Sequence, residues 1–298
     1  MNKYFLTEIE TKDKLIHQGI YFEPKKKSDM AILWVHGLSS TYSSHVPTCD
    51  AFADVCEKYH FGFAAFNNRG AKFIDGVQKR DSSDPKGFVH VPGGAGQEKF
   101  EECVYDIDAG NTFLMNQGYK KVILVGRSTG ANKVCFYAGT VPDTRVAGVV
   151  LMSPISDRLS MIKARPDAET ILSYMKEQIS AGKGDIPIFG FHFFPLTPKR
   201  YVSLFEKGSQ DDVFDYGDEQ PKMTTYAKIK KPLYVIFGGR DEHADRPMEE
   251  IKKVFDEHTK SKKYTSCIVP GALHGFDGME KELAMLVGKW IDCTSKLC

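Results

Sequence analysis

The segment KKVILVGRSTGANKV places a serine between two glycines, Gly126-Arg127-Ser128-Thr129-Gly130, directly after a continuous apolar run and directly before a helical pattern. A sharp strand-to-helix turn of this kind thrusts a hydroxyl out above a sheet, and small residues on either side let the backbone pass without clashes. At the helix N-terminus, free N–H groups and the helix dipole favour developing negative charge. A hydroxyl is a poor nucleophile at neutral pH and needs a base to accept its proton. Of nine histidines, His274 in VPGALHGFDG sits in a Gly-flanked loop between the last expected strand and the last expected helix. It is therefore the one placed to reach Ser128. A base needs a carboxylate to fix its tautomer and stabilise the imidazolium. Asp241 in IFGGRDEHAD follows the strand LYVIF at the same edge, with Glu242 and Asp245 as neighbouring alternatives. Ser128, Asp241 and His274 follow one another in this order along the chain.

Negative charge on an attacked carbonyl oxygen requires backbone N–H donors. Thr129, just after the nucleophile, supplies one. Leu38 in WVHGLSS supplies the other, with Gly37 allowing close approach, and His36 reads as a residue that holds the turn by hydrogen bonds. Arg127 and the aromatic stretch IFGFHFF, with Phe191 and Phe193, complete the candidate substrate-binding set. The aromatics are either lid core or an apolar acyl or aryl pocket.

Positioning these residues takes a sheet. The runs 31–35, 61–66, 122–125, 146–152 and 233–237 are apolar at successive positions, as strands covered on both faces require. Helical patterns lie between them, over about 47–59, 97–118, 129–138, 247–257 and 279–291. Strand and helix alternate, which predicts a doubly wound, mostly parallel α/β sheet. Residues 3–10 and 14–23 read as an antiparallel pair at its margin. The alternation breaks over 154–231, read as a lid inserted into a core domain formed by 1–153 and 232–298.

Composition narrows the function classes. Forty Lys and Arg oppose 39 Asp and Glu, so no charge excess recruits nucleic acid or an anionic membrane. With 42% hydrophobic and 27% charged residues and no apolar run long enough for a bilayer span, the chain reads as a globular protein without a membrane span. The N-terminal residues lack the apolar core of a secretory signal, so a cytoplasmic setting is expected. Seven scattered cysteines form no framework and read as reduced, mostly buried thiols, Cys293 and Cys298 being free in a frayed tail. Arg69 in NNRG, beyond the strand 61–66, reads as a loop support or a substrate-binding arginine, PGGAG (92–96) as a flexible loop that does not follow a strand, and the acidic segment 210–220 as a solvated lid surface.

WVHGLSS, VGRSTG, SPISDR, FGGRDE and ALHGF, in this order, resemble the α/β-hydrolase superfamily over nearly the whole chain. STGANKV followed by VVLMSPISDR is similar to a branch related to fungal siderophore esterases. That branch usually carries histidine at the position of Arg127, a departure that bears on substrate and not on chemistry. The resemblance implies ester or amide hydrolysis through an acyl-enzyme on a small-molecule substrate, without metal or organic cofactor, by a monomer or homodimer. Peptidase, thioesterase or carbon–carbon bond hydrolysis on the same triad, and a non-catalytic binding protein of the same fold, are the competing expectations.

Overall fold

The computed structural model describes residues 4–295. Its elements, in chain order, are β1 (Phe5–Glu10), β2 (Ile16–Phe22), β3 (Met30–Val35), α1 (Val46–Tyr59), β4 (Gly62–Phe66), β5 (Asp75–Arg80), β6 (Phe88–Gly93), α2 (Cys103–Asn116), β7 (Lys121–Arg127), α3 (Thr129–Thr140), β8 (Val146–Met152), α4 (Asp157–Ala164), α5 (Ala168–Ser180), α6 (Pro198–Phe205), β9 (Leu233–Gly238), α7 (Met248–His258), β10 (Tyr264–Val269) and α8 (Glu280–Ser295).

Among the described residues the main sheet has eight strands in the order β1-β2-β4-β3-β7-β8-β9-β10. Pairing is parallel from β4 through β10, while β2 runs antiparallel to both β1 and β4. This is the mostly parallel, doubly wound arrangement expected from the alternating pattern, with the expected antiparallel pair at one margin. Continuous apolar runs are needed because successive side chains enter different cores. In β3, Leu33 joins the core beneath α2, α3 and α7, whereas Ile32 and Trp34 join the one beneath α1 and α8. In β7, Leu124 faces the first of these cores and Ile123 and Val125 the second.

Helices α4, α5 and α6 lie between β8 and β9, within residues 154–231. Met161, Ile171, Met175, Tyr201 and Leu204 form a separate small apolar cluster there, closed by Ala95. Val213, Phe214, Tyr216 and Tyr226 instead pack into the main core.

Two expectations need correction. PGGAG does follow a strand: Pro92 and Gly93 end β6, which pairs antiparallel with β5. The β5 sequence DGVQKR is mostly polar and part-exposed, so it lacks the apolar run that marks the covered strands. The acidic segment is not simply a solvated surface. Asp211 and Asp212 have side chains only 1% exposed, because Arg200 and Arg158 pair with them at 2.8 and 3.0 Å. Four cysteines, at 49, 56, 103 and 135, are buried and free, and Cys293 is exposed and free. Cys298 lies outside the described residues. No helix among the described residues is long and apolar enough to cross a membrane.

Candidate active site

Parallel strands bring their carboxyl ends to one edge, and the loops that leave that edge carry the chemistry. Gly37 and Leu38 follow β3, Asn68 and Arg69 follow β4, Ser128 follows β7, Asp241 follows β9 and His274 follows β10. Ser128 turns directly from β7 into α3 with φ +58° and ψ −134°, in the left-handed region that serine rarely adopts. The flanking glycines permit the turn: a Cβ on Gly126 would collide with the Gly130 carbonyl, and a Cβ on Gly130 with the Val35 carbonyl. A Cβ on Gly37 would sit 2.9 Å from Ser128 Cβ, so the β3 loop lies against the serine.

His274 Nδ1 donates to Asp241 Oδ2 at 2.8 Å. That bond fixes the tautomer and leaves Nε2 as an acceptor. The Asp241 side chain is fully buried and that of His274 15% exposed, so the aspartate faces inward and the ring meets the cavity. Asp241 Oδ1 also accepts the His243 N–H at 3.0 Å, and Glu242 Oε2 accepts the His274 N–H at 3.0 Å. Asp245, the alternative acid, pairs with Arg246 at 2.8 Å. The His243 ring stands perpendicular to that of His274 at 4.7 Å. Burial, and then the proximity of His274, lowers the His243 pKa.

Ser128 and His274 line one cavity of about 680 Å³, together with Gly37, Leu38, Phe191 and Phe193. They share no direct hydrogen bond. Two tethers nevertheless set their loops side by side. Arg127 Nη1 donates to the Gly275 carbonyl at 2.7 Å, joining the neighbours of the two residues. The Ser128 N–H bonds the Met152 carbonyl at 3.0 Å, while Ser153 Oγ donates to the His274 carbonyl at 3.0 Å. Neither the Leu38 nor the Thr129 N–H donates to a backbone carbonyl among the described residues. A wider groove of about 900 Å³ over the acidic segment shares no lining residue with this cavity.

The remaining Arg127 contact is His45, whose ring nitrogens lie 2.7 and 2.9 Å from Nη2. Burial and the adjacent guanidinium lower His45 to about 4, so it stays neutral and accepts. His36 is fully buried, and burial lowers it to about 3. Its Nδ1 donates to the Gly37 carbonyl and its Nε2 accepts the Asn68 N–H at 3.1 Å, tying the β3 and β4 loops together. Arg69 holds Asp106 at 3.0 Å and Asp13 at 3.3 Å. Phe193 is 72% exposed and stands edge-on to Phe73, whereas Phe191 leans on Tyr174. His45, His243 and Ser153 escape a sequence reading because nothing in their neighbours' residue types reports a contact across the fold. Asp157 also lines the cavity; SPISDR stands out in the sequence, but the motif carries no chemical role there. No group of three or more His, Cys, Asp and Glu among the described residues is placed to hold a metal ion.

The fold recurs widely among solved structures. The siderophore hydrolase EstB from Aspergillus fumigatus aligns at TM-score 0.66 with 14% identity, covering 98% of each chain. A thermostable carboxyl esterase from Bacillus coagulans aligns at 0.65 with 15% identity over 99% of each chain. An esterase from Pyrococcus furiosus aligns at 0.63 with 20% identity, covering 98% of this chain and 91% of the other. At such identities the likeness establishes the fold. No curated protein matches the sequence. Residues 93–291, two thirds of the chain and spanning Ser128, Asp241 and His274, match the family described as protein of unknown function, DUF1749. The chain therefore belongs to that family and has the α/β-hydrolase fold.

Proposed function

We propose that this protein is a serine hydrolase of carboxylic esters. The observation that carries the reading is the His274–Asp241 pair at 2.8 Å, opening on the cavity that Ser128 lines from a strained strand-to-helix turn. Ser128 Oγ attacks the ester carbonyl carbon and passes its proton to His274 Nε2, while Asp241 stabilises the imidazolium. The Leu38 and Thr129 N–H groups receive the charge that develops on the carbonyl oxygen. Collapse expels the alcohol with the proton from His274. Water, deprotonated by the same imidazole, then attacks the acyl-enzyme and restores Ser128. The serine–histidine hydrogen bond forms as substrate fills the cavity, a tightening common in such sites. Residues 154–231 act as a lid whose aromatic tip, Phe191 to Phe193, borders the acyl or alcohol pocket. Solved structures of the same fold that are described as esterases favour this chemistry over others the fold hosts. Ser128→Ala tests it. Turnover of p-nitrophenyl esters and labelling by a fluorophosphonate should both vanish, with the circular dichroism spectrum unchanged; an alanine variant retaining full activity rules the reading out.

A further inference from the structure

The residues Ser153-Pro154-Ile155-Ser156-Asp157-Arg158 leave β8 at the same sheet edge as Ser128, and their polar side chains are engaged by the protein apart from one oxygen of Asp157. Ser153 holds the His274 carbonyl. Ser156 caps α4 by accepting the Leu159 N–H at 3.3 Å. Arg158 pairs with Asp212 at 3.0 Å and Asp218 at 2.9 Å. Asp157, the first residue of α4, borders the cavity together with Ser128 and His274. Its Oδ2 lies 3.4 Å from Asn132 Nδ2 on α3. Its Oδ1 has no hydrogen bond within the protein among the described residues, and the part-buried residue stands on the cavity wall.

Behind Asp157 lies an ion network that is already balanced. Lys133 Nζ bonds Glu98 at 2.7 Å, and Arg200 bonds Glu98 and Asp211 at 2.8 Å each. Two cations meet two carboxylates, and all four side chains are buried. A third carboxylate at the edge of this network would stand without a counter-ion of its own, among carboxylates that repel it. Asn132 offers little compensation. Its Nδ2 has two hydrogens but faces three oxygens, Asp157 Oδ2, Asp211 Oδ1 and the Asp211 carbonyl. Burial first, and then Asp211, Glu98 and Asp212, hold the Asp157 carboxyl protonated well above the usual carboxylate range, against the opposing pull of Arg200. On the cavity side it shares the walls with His45, His192, His243, His274, Arg165 and Arg127, whose guanidinium is turned to the Gly275 carbonyl and His45. His192 and His243 are lowered by burial, and Arg165 is paired with Asp167.

We propose that Asp157 is a specificity-determining residue of this cavity: as an uncharged carboxylic acid it donates its O–H to an oxygen of the bound ester. The site then selects esters carrying a neutral acceptor, such as an ether, hydroxyl or amide carbonyl, over plain alkyl esters. This inference rests on the ester-hydrolase reading.

The test compares p-nitrophenyl hexanoate with its methoxybutanoate isostere, which differs by one ether oxygen at equal length. The readout is the ratio of kcat/KM values, so each variant's alkyl rate serves as its own reference. Wild type should favour the ether by about tenfold in mildly acidic buffer, the worth of one good hydrogen bond. That preference should fade as alkali ionises the donor. Asp157→Asn, which keeps an N–H donor that does not titrate, should retain a preference independent of pH, and Asp157→Leu should lose it. A leucine variant that keeps the preference, or a wild-type ratio near one at every pH, overturns the inference. So does a wild-type preference for a matched ammonium-bearing ester that grows with pH, because Asp157 would then act as a carboxylate. If a variant fails to fold, the wild-type pH profile still decides. Wild type that hydrolyses neither ester overturns the ester-hydrolase reading itself.

Discussion

Asp241 and Asp245 are four residues apart and chemically identical, yet their surroundings differ. Asp241 is buried against the His274 ring, whereas Asp245 faces Arg246. Asp241→Asn replaces the acceptor of the Nδ1–H with a group that can also donate, favouring the wrong tautomer. By analogy with other triads, kcat on p-nitrophenyl acetate should fall by about 10⁴-fold. Asp245→Asn should change kcat less than about tenfold, since it weakens a part-exposed ion pair. Equal losses in steady-state assays of the two purified variants would contradict the assignment of the acid. Both carboxylates were visible from the sequence, and choosing between them needed the His274 ring position.

The element that matters most at the next scale is the turn out of β7, because its arginine reaches across to the loop after β10. Arg127 spends its Nη groups on the Gly275 carbonyl and on His45, leaving Nε buried without a partner. That geometry favours a positioning role over direct substrate contact. Arg127→Ala should free the histidine loop, lowering kcat by roughly 10- to 100-fold, with KM little changed. Fluorophosphonate labelling should slow in proportion. Arg127→Lys keeps one donor and should recover part of the rate, which a role in bulk packing would not predict. A fall confined to KM would instead indicate direct substrate binding.

Across the whole molecule, neutral buried histidines tie stability to pH. His36 bonds both the β3 and β4 loops in its neutral form, with burial lowering it to about 3. The unfolded chain takes up that proton near pH 6.5, whereas the native state does so only near its lowered value. Stability from His36 is therefore complete above about pH 6.5 and falls by about 1.4 kcal/mol per unit as pH drops towards 3. His45 and His192, each lowered by burial to about 4, act in the same direction. Asp157, protonated in the folded state, acts in the opposite direction, so His36 is isolated by comparison: between about pH 7 and about pH 5 the urea-unfolding stability of wild type relative to His36→Asn should fall by about 2 kcal/mol. A difference between the two proteins that stays constant over that range would refute the account.

The sequence alone determined the sheet and which residues leave its carboxyl edge. Continuous apolar runs alternating with helical patterns call for strands covered on both faces, and the GxSxG segment between strand and helix calls for a sharp turn. Ser128 and His274 stood out for that reason, since local spacing fixes where each loop leaves the sheet. Strands without an apolar run, such as β5, were invisible, and acidic residues between 210 and 220 looked solvated until Arg158 and Arg200 were placed beside them. Only the tertiary structure decided which charges neutralise one another. Pairings between residues a hundred positions apart, such as Glu98 with Arg200, leave no local pattern, because they form only once the chain has folded.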